Sequence, residues 1–329
     1  MTRVNNGLEF HLKRLDRDLK LKYDEIVDFS QLRMSRATTI TSLSNHEEFS
    51  LTDWGTQTLC TKLGIPYEYY KKCNESQRQY NVNSWLEQVK KDSNVMLRLR
   101  QQNEKPSQIR GIVSTKYSKI NNLTVAQAAH DYFELHNERY SIDFFHEDGD
   151  NLNMRLCMED KVTQIGYTPK GDRDIHKVAV HIRNSEVAKS GVSVIPMVYR
   201  LVCTNGLMAW APAGQIYNQR HIHIEEEKLR EDVVAAIAGA VEHGDATIKI
   251  LENAKTITVQ NPYQEIEKIA TRNKYSDKFT KAVKEAYENE NDGKLFYLVQ
   301  AFTDAAKTLS DDARLKVEKE ATKLLKSAV

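Results

Sequence analysis

Basic side chains recur at alternate positions in three short stretches. HKVAVHIR (176–183) sets Lys177, His181 and Arg183 against Val178, Val180 and Ile182. LNMRLCM (152–158) sets Asn153 and Arg155 against Leu152, Met154, Leu156 and Met158, and VMLRLR (95–100) sets Arg98 and Arg100 against Val95, Leu97 and Leu99. Period two is the side-chain repeat of a β-strand, so each stretch has an apolar face and a basic one. A sheet with one solvated face alternates in this way for solubility alone, but acids would serve that end as well as bases. The one-sided sign favours a polyanion. If the three stretches share a sheet, Arg98, Arg100, Arg155, Lys177, His181 and Arg183 form one track suited to a phosphate backbone. Tyr67, Tyr69 and Tyr70 beside Lys71 and Lys72, and Tyr117 between Lys116 and Lys119, interleave rings with cations. Such clusters are common in ordinary packing and are also how stacking platforms for bases are built. The candidate nucleic-acid-binding residues are therefore Lys71, Arg98, Arg100, Lys116, Tyr117, Arg155, Lys177 and Arg183, with Tyr70 as a second stacking surface.

Catalytic and metal-binding patterns are weaker. GYTPKG (166–171) has Gly and Lys but no following Ser or Thr and no strand-to-helix context, so it does not form a phosphate loop. Glu147, Asp148 and Asp150 offer carboxylates for Mg²⁺ chemistry, although a hairpin tip collects such residues for its turn. His221 and His223 would face one side of an extended segment, with Glu225, Glu226 and Glu227 following, but no third ligand is placed. Asn184-Ser185-Glu186 follows a strand and is a further loop of interest. No catalytic residue, metal or cofactor is assigned.

Arg200–Leu207 (RLVCTNGL), preceded by Asn184–Ser190 (NSEVAKS), resembles the phage/plasmid-like protein family, domain-of-unknown-function family 932. Leu51–Tyr70, Arg110–Asn122 and Lys294–Leu309 are similar as well, so the resemblance spans roughly residues 50–325. It implies a chain carried by a phage, prophage or plasmid and no assigned reaction. The family pattern often has Gly after Ser-Glu-Val. This chain has Ala188 there, which puts a strict requirement for left-handed backbone at that position in doubt.

These residues must be positioned by an α+β fold: a mainly antiparallel sheet with one face covered by helices, followed by an all-α C-terminal region. Residues 1–92 read as a helical region, with the type of 7–22 left open. Thr52 or Asp53 starts a helix that Gly64-Ile65-Pro66 stops. Residues 93–219 carry the strands, one helix near 124–136, and hairpin signals at Asp148-Gly149 and Asn205-Gly206. Residues 220–329 read as five amphipathic helices. The chain has 329 residues, a net charge of +1, 40% hydrophobic residues, 6 Pro and 13 Gly, which excludes collagen-like and broadly disordered chains. The basic excess lies in the first 120 residues. No apolar run approaches a membrane span, the first residues lack a signal-peptide core, and Cys60, Cys73, Cys157 and Cys203 lack metal-site spacing. The expectation is a cytoplasmic, non-enzymatic nucleic-acid-binding protein of a mobile element. Single-stranded DNA is the favoured partner, with self-association for strand annealing or recombination and no membrane partner. The alternatives are a metal-dependent nuclease or nucleotide-processing enzyme, and a host-takeover protein that binds another protein.

Overall fold

The computed structural model describes residues 6–36, 38–201, 205–208, 217–290 and 292–325. Helix α1 (Asn6–Leu19) is followed by β1 (Lys22–Asp28), β2 (Leu32–Arg36), β3 (Thr39–Ser42) and β4 (Glu48–Leu51). Helices α2 (Asp53–Leu63), α3 (Tyr67–Lys72) and α4 (Glu75–Leu86) lead into the hairpin β5 (Asn94–Gln102) and β6 (Lys105–Ser114). Helix α5 (Asn122–His136) precedes β7 (Tyr140–Glu147), β8 (Asn151–Tyr167), β9 (Arg173–Ser185), β10 (Val192–Arg200), β11 (Asn205–Met208) and β12 (Tyr217–Gln219). The chain continues as α6 (Glu226–Ala254), α7 (Pro262–Asn273), α8 (Asp277–Glu288), α9 (Leu295–Ala305) and α10 (Asp311–Leu324). The class is α+β, as the sequence implies. No helix among the described residues is long and apolar enough to cross a membrane.

Two sheets carry the strands. The first runs β1-β5-β6-β4-β3-β2, and the second runs β11-β10-β9-β8-β7 with β12 also paired to β10. Every pairing is antiparallel except β4 with β6. The first 92 residues are therefore not simply helical. They supply four strands to a sheet that β5 and β6 complete. Those strands are short, and β1 has no fully buried residue, so it lacks the apolar alternation that marks a strand in sequence. The helix starts are legible. Thr52 Oγ1 accepts from the Gly55 N–H and Gly64 closes α2 at φ +70°. At α4, Asn74 and Gln77 form a reciprocal capping box. Asn205 and Gly206 lie inside β11 rather than in a turn, because Asn205 pairs with Arg200.

Each sheet buries its apolar face under helices. Leu97, Leu99 and Ile109 of the first pack on Leu59 and Leu63 of α2 and Val82 and Leu86 of α4. Leu152, Met154, Leu156, Val180 and Ile182 of the second pack on Val125 and Phe133 of α5 and Leu229, Val233 and Ile237 of α6. Further along, Val178 and Val198 meet Leu251 of α6, Phe296 and Val299 of α9 and Val317 of α10. Helix α6 crosses β9 at Gly244, where a Cβ would stand 2.4 Å from a Val178 methyl. Only glycine permits that approach.

Candidate nucleic-acid interface

The three basic stretches do not form one face. Arg98 and Arg100 lie on β5 of the first sheet, whereas Arg155, Lys177 and Arg183 lie on β8 and β9 of the second. Within the second sheet the alternation holds. Asn153 is opposite Arg183 and Arg155 opposite His181, on the side away from the apolar core. That side is covered instead of open. Leu315 of α10 packs on Cys157, Ala179, Ile195 and Met197, and fully buried Glu318 accepts from Arg155 Nη2 at 2.9 and 3.2 Å. Three of the other strand cations are also paired with acids. Arg98 is 2% exposed beside Asp24 at 3.1 Å, Arg100 pairs with Asp18, and Lys177 Nζ meets Glu159 at 2.7 Å. Lys71 stands apart on α3, paired with Glu68 at 2.6 Å and 5.2 Å from the Tyr67 ring, while Tyr70 is buried. The continuous track is thus corrected: alternation fixes which side of a strand a residue takes, not which strands are neighbours. A buried guanidinium requires an acid beside it, and Asp18, Asp24 and Glu318 come from distant segments.

A different constellation forms where the sheets meet, around Asn184–Ser190. Glu186 is 1% exposed. Its Oε1 accepts from the Asn122 N–H at 2.8 Å, and its Oε2 accepts from Arg110 Nη1 and Lys22 Nζ, both at 2.9 Å. Arg110 Nη1 also donates to Asp150 at 2.8 Å and to the Gly149 carbonyl at 3.1 Å, which ties β6 to the β7–β8 turn. Burial opposes the Arg110 charge, but Glu186 and Asp150 more than offset this and hold it protonated above its ordinary range. Tyr117 Oη donates to the Ser185 carbonyl at 2.9 Å and accepts from the Ala188 N–H at 3.1 Å. Trp54 Nε1 donates to the Val187 carbonyl at 2.9 Å. Ala188 has φ +61°, so the position does take the left-handed conformation that the Ala had put in doubt. Gly191 closes the loop against β12, where a Cβ would stand 2.3 Å from the Gln219 carbonyl oxygen.

Two clefts flank this loop and share Ser190. The first, about 220 Å³, is lined by Asn153, Arg183, Asn184 and Lys189, with His146 and Asp148 opposite. The second, about 310 Å³, is lined by Tyr117, Ala188, Gly191, Arg220, His221 and Ile222, with no acid among them. Each contains a buried polar group without a hydrogen-bond partner among the described residues: Asn184 Oδ1 in the first and both ring nitrogens of His221 in the second. Burial, helped by the Arg98 charge, brings the His221 pKa down to about 4, so the ring is neutral at pH 7 and presents one N–H. Lys189 lies with Nζ 5.8 Å over the Trp54 ring, and Arg220 and Lys116 are exposed. None of these three cations has a carboxylate partner among the described residues. Arg183 Nε donates to Asn153 Oδ1 at 2.8 Å. Asp148 remains ionised. Burial would raise its pKa, but hydrogen bonds from the Asn151 side chain and from the Asn151 and Asp150 N–H groups hold it below the usual range.

The remaining chemical candidates are accounted for structurally. Glu147 caps Gly149 N–H at 2.7 Å and faces Arg14, Asp148 forms the turn, and Asp150 pairs with Arg110. The three carboxylates are tied to separate partners. His221 is buried against Tyr117 while His223 is exposed at φ +52°, so the two rings do not share a side. Among the described residues no group of three His, Cys, Asp or Glu side chains is placed to hold a metal ion. GYTPKG runs from the last two residues of β8 into the β8–β9 turn, with Gly166 and Gly171 at positive φ. Cys60, Cys73 and Cys157 are buried free thiols, and Cys203 lies outside the described residues. Of the expected residues, Tyr117 and Arg183 line the clefts, and Lys116 precedes Tyr117 in the chain. Arg110, Lys189 and Arg220 are not among the expected site residues. Glu186 belongs to Asn184-Ser185-Glu186, a cue without a chemistry attached, and Asn184 and Ser185 end β9 instead of forming a loop after it. No known protein family, curated protein or solved structure matches the chain.

Proposed function

We propose that the protein is a non-enzymatic nucleic-acid-binding protein that holds a single strand along the Ala188–Gly191 loop. One observation carries this reading. Arg98, Arg100, Arg155 and Lys177 are paired with acids, whereas Lys189 and Arg220 line two adjoining clefts, and Lys116 stands exposed next to Tyr117, without a carboxylate partner among the described residues. Unpaired surface cations are the groups that exchange counterions for phosphates. The buried donor capacity of His221 adds a hydrogen bond for a phosphate oxygen, and the Trp54 ring beside Lys189 supports base stacking. A strand held by its phosphates leaves base edges free to pair, as strand annealing requires, and no nucleotide hydrolysis enters. A role on a mobile element is part of the proposal and rests only on the likeness of Arg200–Leu207 and Asn184–Ser190 to phage and plasmid proteins, since no family model matches the chain.

Fluorescence anisotropy with a labelled single-stranded oligonucleotide tests the reading. Lys189→Glu and Arg220→Glu are each expected to weaken binding about tenfold through the lost and inverted charge, while Lys71→Glu leaves it unchanged. Absence of binding at about 50 mM salt, where counterion release favours it most, would refute the proposal.

A further inference from the structure

The nucleic-acid reading leaves unused the segment Arg200–Leu207, whose first residue lies at the floor of a separate cleft. Arg200 is buried. Its Nε and Nη2 donate to the Asp174 carboxylate at 2.7 and 3.0 Å, and its Nη1 donates to Glu290 at 2.6 Å. Lys255 Nζ completes the Asp174 shell at 2.7 Å, and the guanidinium lies 5.2 Å from the Phe296 ring centre. The arginine is held in a fixed plane. Beside it a cleft of about 380 Å³ opens between the end of α8 and the middle of α9. Ala286, Tyr297 and Ala301 wall it, and exposed Lys170 and Asn289 stand at its mouth. That size is within the range of small-molecule sites.

Gln300 is the unexplained group there. It lines the cleft at 4% exposure, and its Oε1 is buried with no hydrogen-bond partner among the described residues. A carboxamide oxygen taken out of water normally has a donor in exchange. Charge does not select the ligand. Lys170 and Arg200 face Glu290 and Asp304, and Asp304 is itself paired with Lys307 at 2.6 Å. What Gln300 Oε1 lacks is an N–H donor, and an aromatic wall stands in the same cleft. We infer that it binds a small uncharged molecule whose cyclic amide or amidine edge donates to Gln300 Oε1, the chemistry of a nucleobase, with its ring against Tyr297. Glutamine pairs with edges of this kind, adenine N6 and N7 among them. Arg200 acts as a positioning residue that fixes the floor. The site shares no lining residue with the clefts at the Ala188–Gly191 loop, so it stands apart from the nucleic-acid reading.

A base reaches this cleft either as a free nucleoside or as part of a strand, and both sources present the same edge. Ligand-detected saturation-transfer NMR on the full chain distinguishes them, with adenosine, guanosine, cytidine and uridine as probes, and the matching short homopolymers in parallel on the Lys189→Glu/Arg220→Glu chain with and without Gln300→Met, so that the loop clefts do not hold the strand. At least one nucleoside, or its homopolymer alone if the source is a strand, is expected to bind, and Gln300→Met is expected to weaken it about tenfold. Methionine keeps the volume and removes the orphaned carboxamide, so the variant should unfold at or above the wild-type temperature. Lys189→Glu should leave nucleoside binding unchanged, which separates this site from the loop clefts. Binding that Gln300→Met leaves intact overturns the inference, as does binding by no probe. A Gln300→Met chain that unfolds at lower temperature also overturns it, because the carboxamide would then serve the fold.

Discussion

At the scale of single residues, Ala188 is the clearest test of the loop geometry. Its φ of +61° places a Cβ against the neighbouring carbonyl, a strain of about 1 kcal/mol that glycine does not bear. The Ala188 N–H is bonded to Tyr117 Oη, Trp54 and Arg110 hold the two residues before it, and the Lys189 N–H after it donates to Ser185 Oγ, so the chain cannot relax out of this conformation. Ala188→Gly is expected to stabilise the protein by about 1 kcal/mol in urea unfolding, somewhat less after glycine's greater freedom in the unfolded chain. A loss of stability would contradict the left-handed assignment. Glu186 has the opposite leverage. It is the shared partner of Lys22 and Arg110, so Glu186→Gln leaves two buried cations undercompensated, and a loss of about 3 kcal/mol is expected in the same measurement.

At the scale of elements, packing of helices on sheet explains both the fold and its acid sensitivity. Helix α6 meets β9 at Gly244. Alanine there would gain about 1 kcal/mol of helix propensity, but the added methyl falls on a stiff, buried Val178 at 2.4 Å, and overpacking costs about 1–3 kcal/mol. The clash wins, so Gly244→Ala is expected to lower the unfolding temperature. Burial also depresses four histidines: His11, His176 and His221, the last two to about 4, and His181, enclosed between β9 and α10 among Arg155, Arg183, Arg314 and Lys319, well below its ordinary value. Unfolded histidines bind a proton near pH 6.5 and these folded ones do not, so stability is full above about pH 6.5 and falls as the pH drops from there toward about 4. Each contributes up to about 1.4 kcal/mol per pH unit. Urea unfolding at stepped pH should show that slope, and His181→Leu should remove one histidine's share of it.

What could be read in the sequence follows the same division. The 3.6-residue stripes and caps announced α2 and the C-terminal helices, and the alternation in β8 and β9 assigned Leu152, Met154, Val178 and Val180 to the core side. Strands β3 and β4 have four residues each and β1 is half exposed throughout, too little pattern to stand against the helices nearby. The site was less legible because its partners are distant in sequence. Glu186 meets Lys22 and Arg110, and Glu318 meets Arg155, and no local period encodes such pairs.

At the scale of the whole molecule, the net charge is +1 and no long-range field steers a polyanion to the surface. Binding must then rest on the local group of cations left without acids at the Ala188–Gly191 loop, and ionic strength reports their number. A continuous track of six cations would give a log–log salt slope near about −4 for a single strand, whereas Lys116, Lys189 and Arg220 give about −2. Anisotropy titration of a labelled single strand across a salt series therefore tests the central claim most directly. The account predicts binding with a slope near about −2 that falls toward zero when Lys189 and Arg220 are both replaced by Glu. No binding at low salt, or a steep slope that this double substitution leaves unchanged, would contradict it.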